Sequence, residues 1–339
     1  MVDATYVRFA ANDRSYFSIL KKEIRLKAEK AGFDVKKLND IDLIIAEITS
    51  NLHKYAKDGE LLAGLFFQAD NCYLELISID HGPGMNPQHM IADGFSTERN
   101  LGMGLGSIKR LSDKFDIYSI KDWGTIILSR IYQKLPQPRT GITAKIEIRP
   151  LVITMPGQIV SGDGTFYTLN DRYFKLLVAD GLGHGEEANY AVNEAVTAFR
   201  ASNADSPSAI LKDIHGSILK TRGIVGAVVI FDFEKKYWNM AGIGNISTRM
   251  SNFLETKNQM SYNGIVGHNI PPTMNDQEMA AQSYHQVTLC SDGIKPRWEL
   301  AKYPGINRCD LSIQAAAIYK DYARHTDDMS VVIAKINTL

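Results

Sequence analysis

The sequence predicts an α+β protein of two mixed domains, and three observations lead there. The chain has 339 residues, a natural length for two domains of ordinary size. A polar stretch with two prolines and a glycine, Lys134-Leu135-Pro136-Gln137-Pro138-Arg139-Thr140-Gly141, interrupts it and favours an extended connector over a helix or a central strand. Helical and strand periodicities mix on both sides of that stretch, with strands dominating after it. The expected division is 1–133, a linker over 134–141, and 142–339. At ~3.1 Å per residue the linker would span on the order of 25 Å, which keeps the flanking domains close.

In the first part, residues 3–10 read as a strand. Asn12 or Asp13 is placed to cap a helix ending near Ala31, before Gly32. Ile41, Ile44, Ile45 and Ile48 recur at helical spacing, which predicts a helix over 38–57. Strands are expected at 61–69, 72–79, 115–120 and 125–132, with a helix near 104–114. This order suits helices covering one face of a mostly antiparallel sheet. In the second part, strands are expected at 144–149, 158–162, 165–169, 173–179, 225–233, 236–242, 246–251 and 285–290. Helices are expected near 184–201, 206–221 and 310–323. Two packed sheets with helices outside is the economical arrangement.

Composition narrows the function classes. Hydrophobic residues make up 45% of the chain, enough for two cores, and Lys+Arg and Asp+Glu balance at 38 each. No basic excess argues for nucleic acid, and no polybasic stretch argues for a membrane surface. Cys72, Cys290 and Cys309 are widely spaced and form neither a CxxC pair nor a zinc set, as expected of thiols in a reducing compartment. The opening MVDATYVRFA lacks the features of a signal peptide, and no segment has the roughly 18 apolar residues of a membrane span. A cytoplasmic protein is expected.

Four blocks within 47–125 suggest a nucleotide site. Glu47 and Asn51 lie four apart on one helix face. Asp80-His81-Gly82-Pro83-Gly84-Met85 follows a strand, Gly102-Met103-Gly104-Leu105-Gly106 opens a helix, and Gly124-Thr125 begins a strand. A buried Asp80 carboxylate can accept a hydrogen bond from the adenine amino group. Gly82 and Gly84 allow a sharp turn and close approach to a flat base. The Gly102, Gly104 and Gly106 run offers N–H groups to phosphate at a helix N-terminus. Asn51 can give a neutral oxygen to Mg²⁺, Glu47 can take a proton from an attacking hydroxyl, and Thr125 can add a hydrogen bond near the base. Each block alone is weak: glycine alternation often serves a turn, and a Glu/Asn pair is often a solvated face. Their order is what carries the reading. His53, Lys54, Arg99, Lys109 and Arg110 are ambiguous neighbours.

A second constellation is Asp163 in SGDG, Asp180 in VADGLGHG, Asp292 in CSDG, and Asp327-Asp328 in TDDMS. Three of these motifs follow or end apolar runs, where strand ends can bring side chains together. Converging carboxylates need cations, and all-oxygen ligation selects hard ions such as Mg²⁺ or Mn²⁺. Two such ions can bind phosphate oxygens and supply a hydroxide for in-line attack on phosphorus, with no Ser or Cys nucleophile. Gly181 and Gly293 allow tight turns that let a carbonyl face a metal. Each Asp-Gly pair alone is an ordinary turn, Asp328 reads equally well as a hydrogen-bonding residue, and a lone His184 or His268 is more often structural.

Glu47-x3-Asn51, DHGPGM, DGFST (93–97) and GMGLG-SIKRLSDKFDI (102–117) resemble the anti-sigma and switch kinases of the histidine-kinase-like ATPase superfamily, most nearly the RsbT type. The resemblance covers essentially all of 1–133 and implies a Bergerat-type α/β sandwich binding ATP and Mg²⁺. By it, Glu47 is the base, Asn51 the Mg²⁺ ligand and Asp80 the adenine anchor. VADGLGHG, RGIVGAVVIFDF (222–233), AGIGNIS (241–247), CSDG and TDDMS resemble, across 142–339, the 2C-type metal-dependent phosphatases of the SpoIIE and RsbX branch. That implies an αββα sandwich holding two Mn²⁺ or Mg²⁺ ions. By resemblance Asp180 bridges the ions, Gly181 offers its carbonyl, Asp292 and Asp327 complete the second ion, and Asp163 is an outer ligand. The phosphate-binding Arg of eukaryotic relatives has no clear counterpart.

Taken together, the resemblances imply a regulator that phosphorylates and dephosphorylates Ser/Thr of STAS-domain anti-anti-sigma or stressosome proteins, and no nucleic-acid or membrane partner is expected. A homodimer is compatible with it. Opposed activities on one residue would consume ATP without effect, so gating, distinct substrates or distinct sites are expected. The alternatives are a phosphatase whose N-domain senses nucleotide or docks a partner, and a sequestering protein without catalysis.

Overall fold

The computed structural model describes residues 5–10, 16–68, 71–86, 101–136, 141, 145–252 and 255–337. The proposed cap at Asn12 or Asp13, the DGFST segment, Arg99 and residues 137–140 of the 134–141 connector lie outside the described residues. Elements of the first half are β1 (Thr5–Ala10), α1 (Tyr16–Lys30), α2 (Val35–Tyr55), β2 (Glu60–Gln68), β3 (Asn71–Asp80), α3 (Leu101–Leu111), β4 (Lys114–Ile120) and β5 (Gly124–Tyr132). Those of the second are β6 (Ile146–Ile153), β7 (Asp163–Leu169), β8 (Tyr173–Gly181), α4 (Glu186–Ala201), α5 (Pro207–Ser217), β9 (Ile224–Asp232), β10 (Tyr237–Ile243), β11 (Ser247–Ser251), β12 (Thr256–Asn258), β13 (Gln277–Ala280), β14 (Gln286–Cys290), α6 (Leu311–Tyr322) and β15 (Met329–Ile336). The chain forms two compact units: Met1–Gln137 with Gly305–Lys320, and Pro138–Pro304 with Asp321–Leu339.

In the first unit, β1-β2-β3-β5-β4 form an antiparallel series. The helix α2 starts where the Asp34 side chain accepts a 2.8 Å hydrogen bond from the Lys37 amide, an ordinary N-cap. Its apolar stripe, Leu38, Ile41, Ile44, Ile45, Ile48 and Leu52, is buried. With Leu20 and Ile24 of α1 it packs on Leu61, Leu74, Leu76 and Ile127 of the sheet. Alternation along the strands sends the neighbouring residues to the other face, where Tyr6, Phe66 and Tyr73 pack ring to ring at 5.1 Å.

On that face lies a buried ion network. Glu75 and Arg130 are register partners on β3 and β5, and Arg130 Nε donates to Glu75 Oε2 at 2.5 Å. Tyr6 Oη donates to Glu75 Oε1 at 2.7 Å. The Arg130 guanidinium also donates to Asp310 at 3.2 and 3.3 Å and to Ser312 Oγ at 3.2 Å. Burial works against the Arg130 charge, but Glu75 and Asp310 outweigh it and hold the group firmly protonated. Residues 305–320 are thus stitched into the first unit although the chain reaches them only after passing through the second.

The second unit contains the antiparallel series β13-β10-β9-β8-β7 and β12-β11-β14-β15-β6. Phe174, Leu176, Phe231 and Trp238 of the first pack against Val287, Leu289, Val332 and Ala334 of the second. On the outer face of the first, Val192 and Phe199 of α4 and Ile210 and Ile214 of α5 cover Leu177, Val228 and Ile230. The expected strand at 158–162 does not form. Those residues make bends and irregular chain leading into β7, and Ile159 is exposed rather than packed on a sheet face. Strands β12, β13 and β15 were not foreseen. The first two are three and four residues long, too short for a periodic signal. The third, MSVVIAKI, is apolar almost throughout because its residues are buried on both faces.

Replacing Arg130 with Ala leaves Glu75 and Asp310 buried without their counter-charge. We expect a loss of about 3–5 kcal/mol, measured by chemical denaturation of the full chain, with Ser312→Ala far milder.

Candidate functional sites

Glu47 and Asn51 project from α2 toward the start of α3. A Cβ on Gly104 would lie 2.8 Å from Glu47 Oε2 and 3.6 Å from the Asn51 amide atoms, so a glycine keeps this passage open. The helix begins at Leu101, three residues earlier than expected, which puts Gly104 and Gly106 inside it and leaves Gly102 in the first turn with its N–H groups.

Asp80 ends β3 opposite Thr125. Its Oδ1 accepts from the Gly82 amide at 2.7 Å. Burial raises its pKa, while the amides of Gly82 and Thr125 and the charges of Lys320 and His81 pull the other way. The surrounding backbone is close-packed. Gly84 has φ +72° and a Cβ there would sit 2.1 Å from the Ile120 carbonyl oxygen. Gly124 has φ +118° and its Cβ would sit 2.0 Å from the Asp80 carbonyl oxygen. Thr125 is buried and its hydroxyl meets Ser119 Oγ at 3.0 Å; Ser119 Oγ in turn accepts from the Met85 amide. Asp80, Gly82, Gly84 and Thr125 are therefore brought together at one strand edge, and Glu47 with Asn51 at the first turns of α3. A carboxylate acceptor held by two amides and a passage that a single methyl would fill suit an adenine nucleotide.

In the second unit, β7 and β8 pair so that Asp163 lies directly across from Asp180. Asp180, Gly181, His184, Asn245, Asp292 and Asp327 line one cavity of about 190 Å³. Asp163 is buried beside it: Oδ2 accepts from Ser291 Oγ at 2.6 Å, while Oδ1 has no hydrogen-bond partner. Burial and the neighbouring carboxylates push Asp163 and Asp180 well above the ordinary carboxylate range. Asp292 is raised too, by burial and then by Asp327, with the Asn245 amide and Arg324 opposing. Among the described residues no three His, Cys, Asp or Glu side chains form a ready ligand cage. The carboxylates instead surround a space, which fits hard ions that retain water. An orphaned buried carboxylate oxygen and mutually repelling neighbours mark this donor set as one completed by divalent cations.

Asp328 has a different task. Its two oxygens accept from the amides of Met155 and Gly162 at 2.8 and 2.7 Å, clamping the loop before Asp163. Gly181 and Gly293 are required by packing: a Cβ would fall 2.4 Å from the Ala188 oxygen and 2.0 Å from the Asp328 oxygen, respectively. His268 is structural, its Nε2 paired with the Arg222 carbonyl at 2.8 Å. Sequence reasoning missed Ser291 and Asn245 as individual residues, although both stand inside the CSDG and AGIGNIS motifs it singled out.

Residues 11–130 match the family of histidine kinase-like ATPase domains. The serine/threonine-protein kinase RsbT of Bacillus subtilis is 34% identical over 101 residues, 30% of this chain and 76% of RsbT. The chain belongs to the RsbT family. Unlike RsbT alone, this family member has a second likeness. The phosphoserine phosphatase RsbX of Bacillus subtilis is 26% identical over 93 residues, 26% of the chain and 45% of RsbX, so the match spans less than half of that relative. A solved structure described as the bacterial stressosome, a modular system adapted to control secondary messenger signaling, superposes with a TM-score of 0.51 at 27% identity, covering 56% of this chain and 100% of that one. RsbX in complex with magnesium superposes with a TM-score of 0.50 at 16% identity, covering 57% and 96%, which shows the phosphatase fold. This RsbT-family chain thus joins a region similar to the kinase RsbT to a region similar to the phosphatase RsbX. Among the described residues no helix is long and apolar enough to cross a membrane.

The carboxylate pair has a pH consequence. Asp163 and Asp180 have raised folded-state pKa values, so the metal-free native state binds more protons than the unfolded chain. Their stabilising contribution is present below about pH 4 and is lost as pH rises through the folded-state values. The Tm of the metal-free protein should therefore fall from mildly acidic to alkaline pH, and added Mg²⁺ or Mn²⁺ should raise it most at the alkaline end. Asp180→Asn should flatten both trends in differential scanning fluorimetry.

Proposed function

We propose that the chain is a bifunctional signalling regulator that phosphorylates and dephosphorylates Ser or Thr of STAS-domain partners in a stressosome or sigma-factor switch. The observation that carries this is the presence of two sites of opposed chemistry in one chain: an adenine-type carboxylate edge with Glu47 and Asn51, and a cation-seeking carboxylate cavity. Likeness to RsbT and to a stressosome structure supports the partner class.

In the first site Asp80 receives the adenine amino group, with Gly82 and Gly84 shaping the turn and Thr125 close by. The first turn of α3, at Gly102, offers its free amides to the phosphates, and the lack of side chains at Gly104 and Gly106 lets a ligand come close to the helix. Asn51 offers its side-chain oxygen to Mg²⁺. Glu47 accepts the proton of the partner's hydroxyl as that oxygen bonds to the γ-phosphorus and ADP departs. In the second site Asp180, the Gly181 carbonyl, Asp292 and Asp327 would hold two Mg²⁺ or Mn²⁺ ions, with Asp163 as an outer ligand. Bound there, such ions supply positive charge for the phosphate oxygens and a hydrolytic nucleophile at neutral pH. Ser291 orients Asp163, Asn245 orients Asp292, and Asp328 fixes the loop. Water adds to phosphorus, the ester P–O bond breaks, and the partner's hydroxyl and inorganic phosphate are released. The reading places the protein in the cytoplasm and admits a homodimer.

The test uses purified full-length protein, γ-labelled ATP, Mg²⁺ with Mn²⁺, and STAS-domain proteins from the same genome. Label should accumulate on the partner with Asp180→Ala and vanish with Glu47→Ala, the latter losing about 10²–10⁴-fold in transfer rate. No transfer by any form, with phosphorylated partner still cleared, would leave a phosphatase carrying a nucleotide-sensing domain. No clearance either would refute both activities. Ser291→Ala should weaken metal binding by about 10–100-fold, read by calorimetric titration of Mn²⁺.

A further inference from the structure

The first unit contains a helix that its own half of the sequence does not encode. Residues Leu311–Lys320 of α6 are all buried and belong to this unit. Asp310 fastens the start of the segment: it accepts from Arg130, and its amide donates to Asp116 Oδ2 at 2.7 Å. Tyr319 Oη reaches Glu60 Oε2 at 3.4 Å. Lys320 fastens the end. Its ammonium donates to the Trp123 carbonyl at 2.8 Å and lies 4.1 Å from the centre of the Trp123 ring, and Lys320 is 8% exposed. Trp123 immediately precedes Gly124, the residue packed onto the Asp80 carbonyl, and Lys320 is one of the charges favouring the Asp80 carboxylate.

The chain then runs directly into the carboxylate cluster of the second unit. The Lys295 amide donates to the Tyr322 carbonyl at 2.8 Å, and the Arg324 amide donates to the Gly293 carbonyl at 2.9 Å, next to Asp292. Asp327 and Asp328 follow. From Lys320 to Asp327 is seven residues, at most roughly 25 Å of extended chain. A buried lysine beside the nucleotide carboxylate and a metal-site aspartate are therefore carried on one short, well-tethered stretch of backbone.

We propose that Lys320 is a positioning residue of the nucleotide site, and that through the α6 segment nucleotide occupancy is coupled to the carboxylate cluster around Asp327. This rests on the two-site reading above. An adenine amino group on Asp80 stabilises the carboxylate, the carboxylate attracts the Lys320 ammonium, and the end of α6 is held more firmly. Firmer α6 narrows the positions open to Asp327 and Asp328, which favours metal. By linkage, metal at the cluster tightens nucleotide binding by the same factor.

The test uses the full chain as wild type, Lys320→Met and Lys320→Arg. Three quantities are read: the affinity for a fluorescent Mg-ADP analogue across pH, hydrogen exchange of residues 311–320, and the Mn²⁺ concentration needed for p-nitrophenyl phosphate hydrolysis with and without ADP. In wild type, ADP should slow exchange in 311–320 and lower the Mn²⁺ requirement by about fivefold or more. Lys320→Met should bind the nucleotide several-fold more weakly and lose the ADP effect on Mn²⁺, while nucleotide-free hydrolysis at saturating Mn²⁺ stays unchanged. Lys320→Arg should restore most of both. The groups around the Asp80 carboxylate are the Gly82 and Thr125 amides, Lys320 and His81. Removing the Lys320 charge lets burial raise Asp80 further, so nucleotide affinity should begin to fall at a higher pH on acidification. Nucleotide binding with unchanged exchange in 311–320 and an unchanged Mn²⁺ requirement would overturn the coupling and leave both activities standing. The wild-type measurements decide this even where a variant fails to fold. Absence of ADP binding by wild type would overturn the nucleotide-site reading together with the proposal.

Discussion

The buried guanidinium of Arg130 is the interaction on which the first unit depends. A charge taken out of water is tolerated only when it is paired and hydrogen-bonded, and Arg130 has Glu75 on the neighbouring strand and Asp310 at the head of α6. Glu75 is further satisfied by Tyr6. These groups lie on the sheet face opposite α1 and α2, where apolar packing alone would not select one occupant. The ion network selects residues 305–320, and with them comes Lys320, whose ammonium reaches the Trp123 carbonyl beside Gly124.

The second unit rests on an opposite arrangement, one in which like charges are gathered. Two packed sheets of apolar side chains fix the strand ends, and the strand ends carry Asp163, Asp180, Asp292 and Asp327. Burial and mutual repulsion raise the pKa values of Asp163, Asp180 and Asp292, so without cations these three hold protons more readily than free carboxylates. The fold therefore stores at this edge an affinity that only hard positive charge can satisfy. Ser291, Asn245 and Asp328 hold individual oxygens in place, and glycines at 181 and 293 let the backbone pass where no side chain would fit. Protein phosphorylation chemistry needs little more from a protein than this placement of charge.

The sequence by itself determined most of the secondary structure and named the residues of both candidate sites. Ile41, Ile44, Ile45 and Ile48 announced α2 because a helix repeats its buried face every three to four residues. Asp80, Asp180 and Asp292 with their glycines announced turns at strand ends because such turns demand small residues beside the functional one. Local signals failed where burial is two-sided, as in β15, or where an element is too short to show a period, as in β12 and β13. They also overread apolar residues at 158–162, where Ile159 is exposed rather than packed on a sheet face.

What the tertiary structure decided was partnership. That Asp163 faces Asp180 across a strand pair, that Ser291 bonds Asp163 rather than Asp292, and that Asp328 is a backbone clamp all follow from register and sheet packing. No residue's neighbours in sequence encode these. The assignment of 305–320 to the first unit is of the same kind. Its hydrophobic pattern specifies a buried helix, but the charge of Asp310 finds its counterparts in Arg130, 180 residues earlier, and Lys114, and such long-range pairing is set by the energy of the assembled core rather than by any local preference.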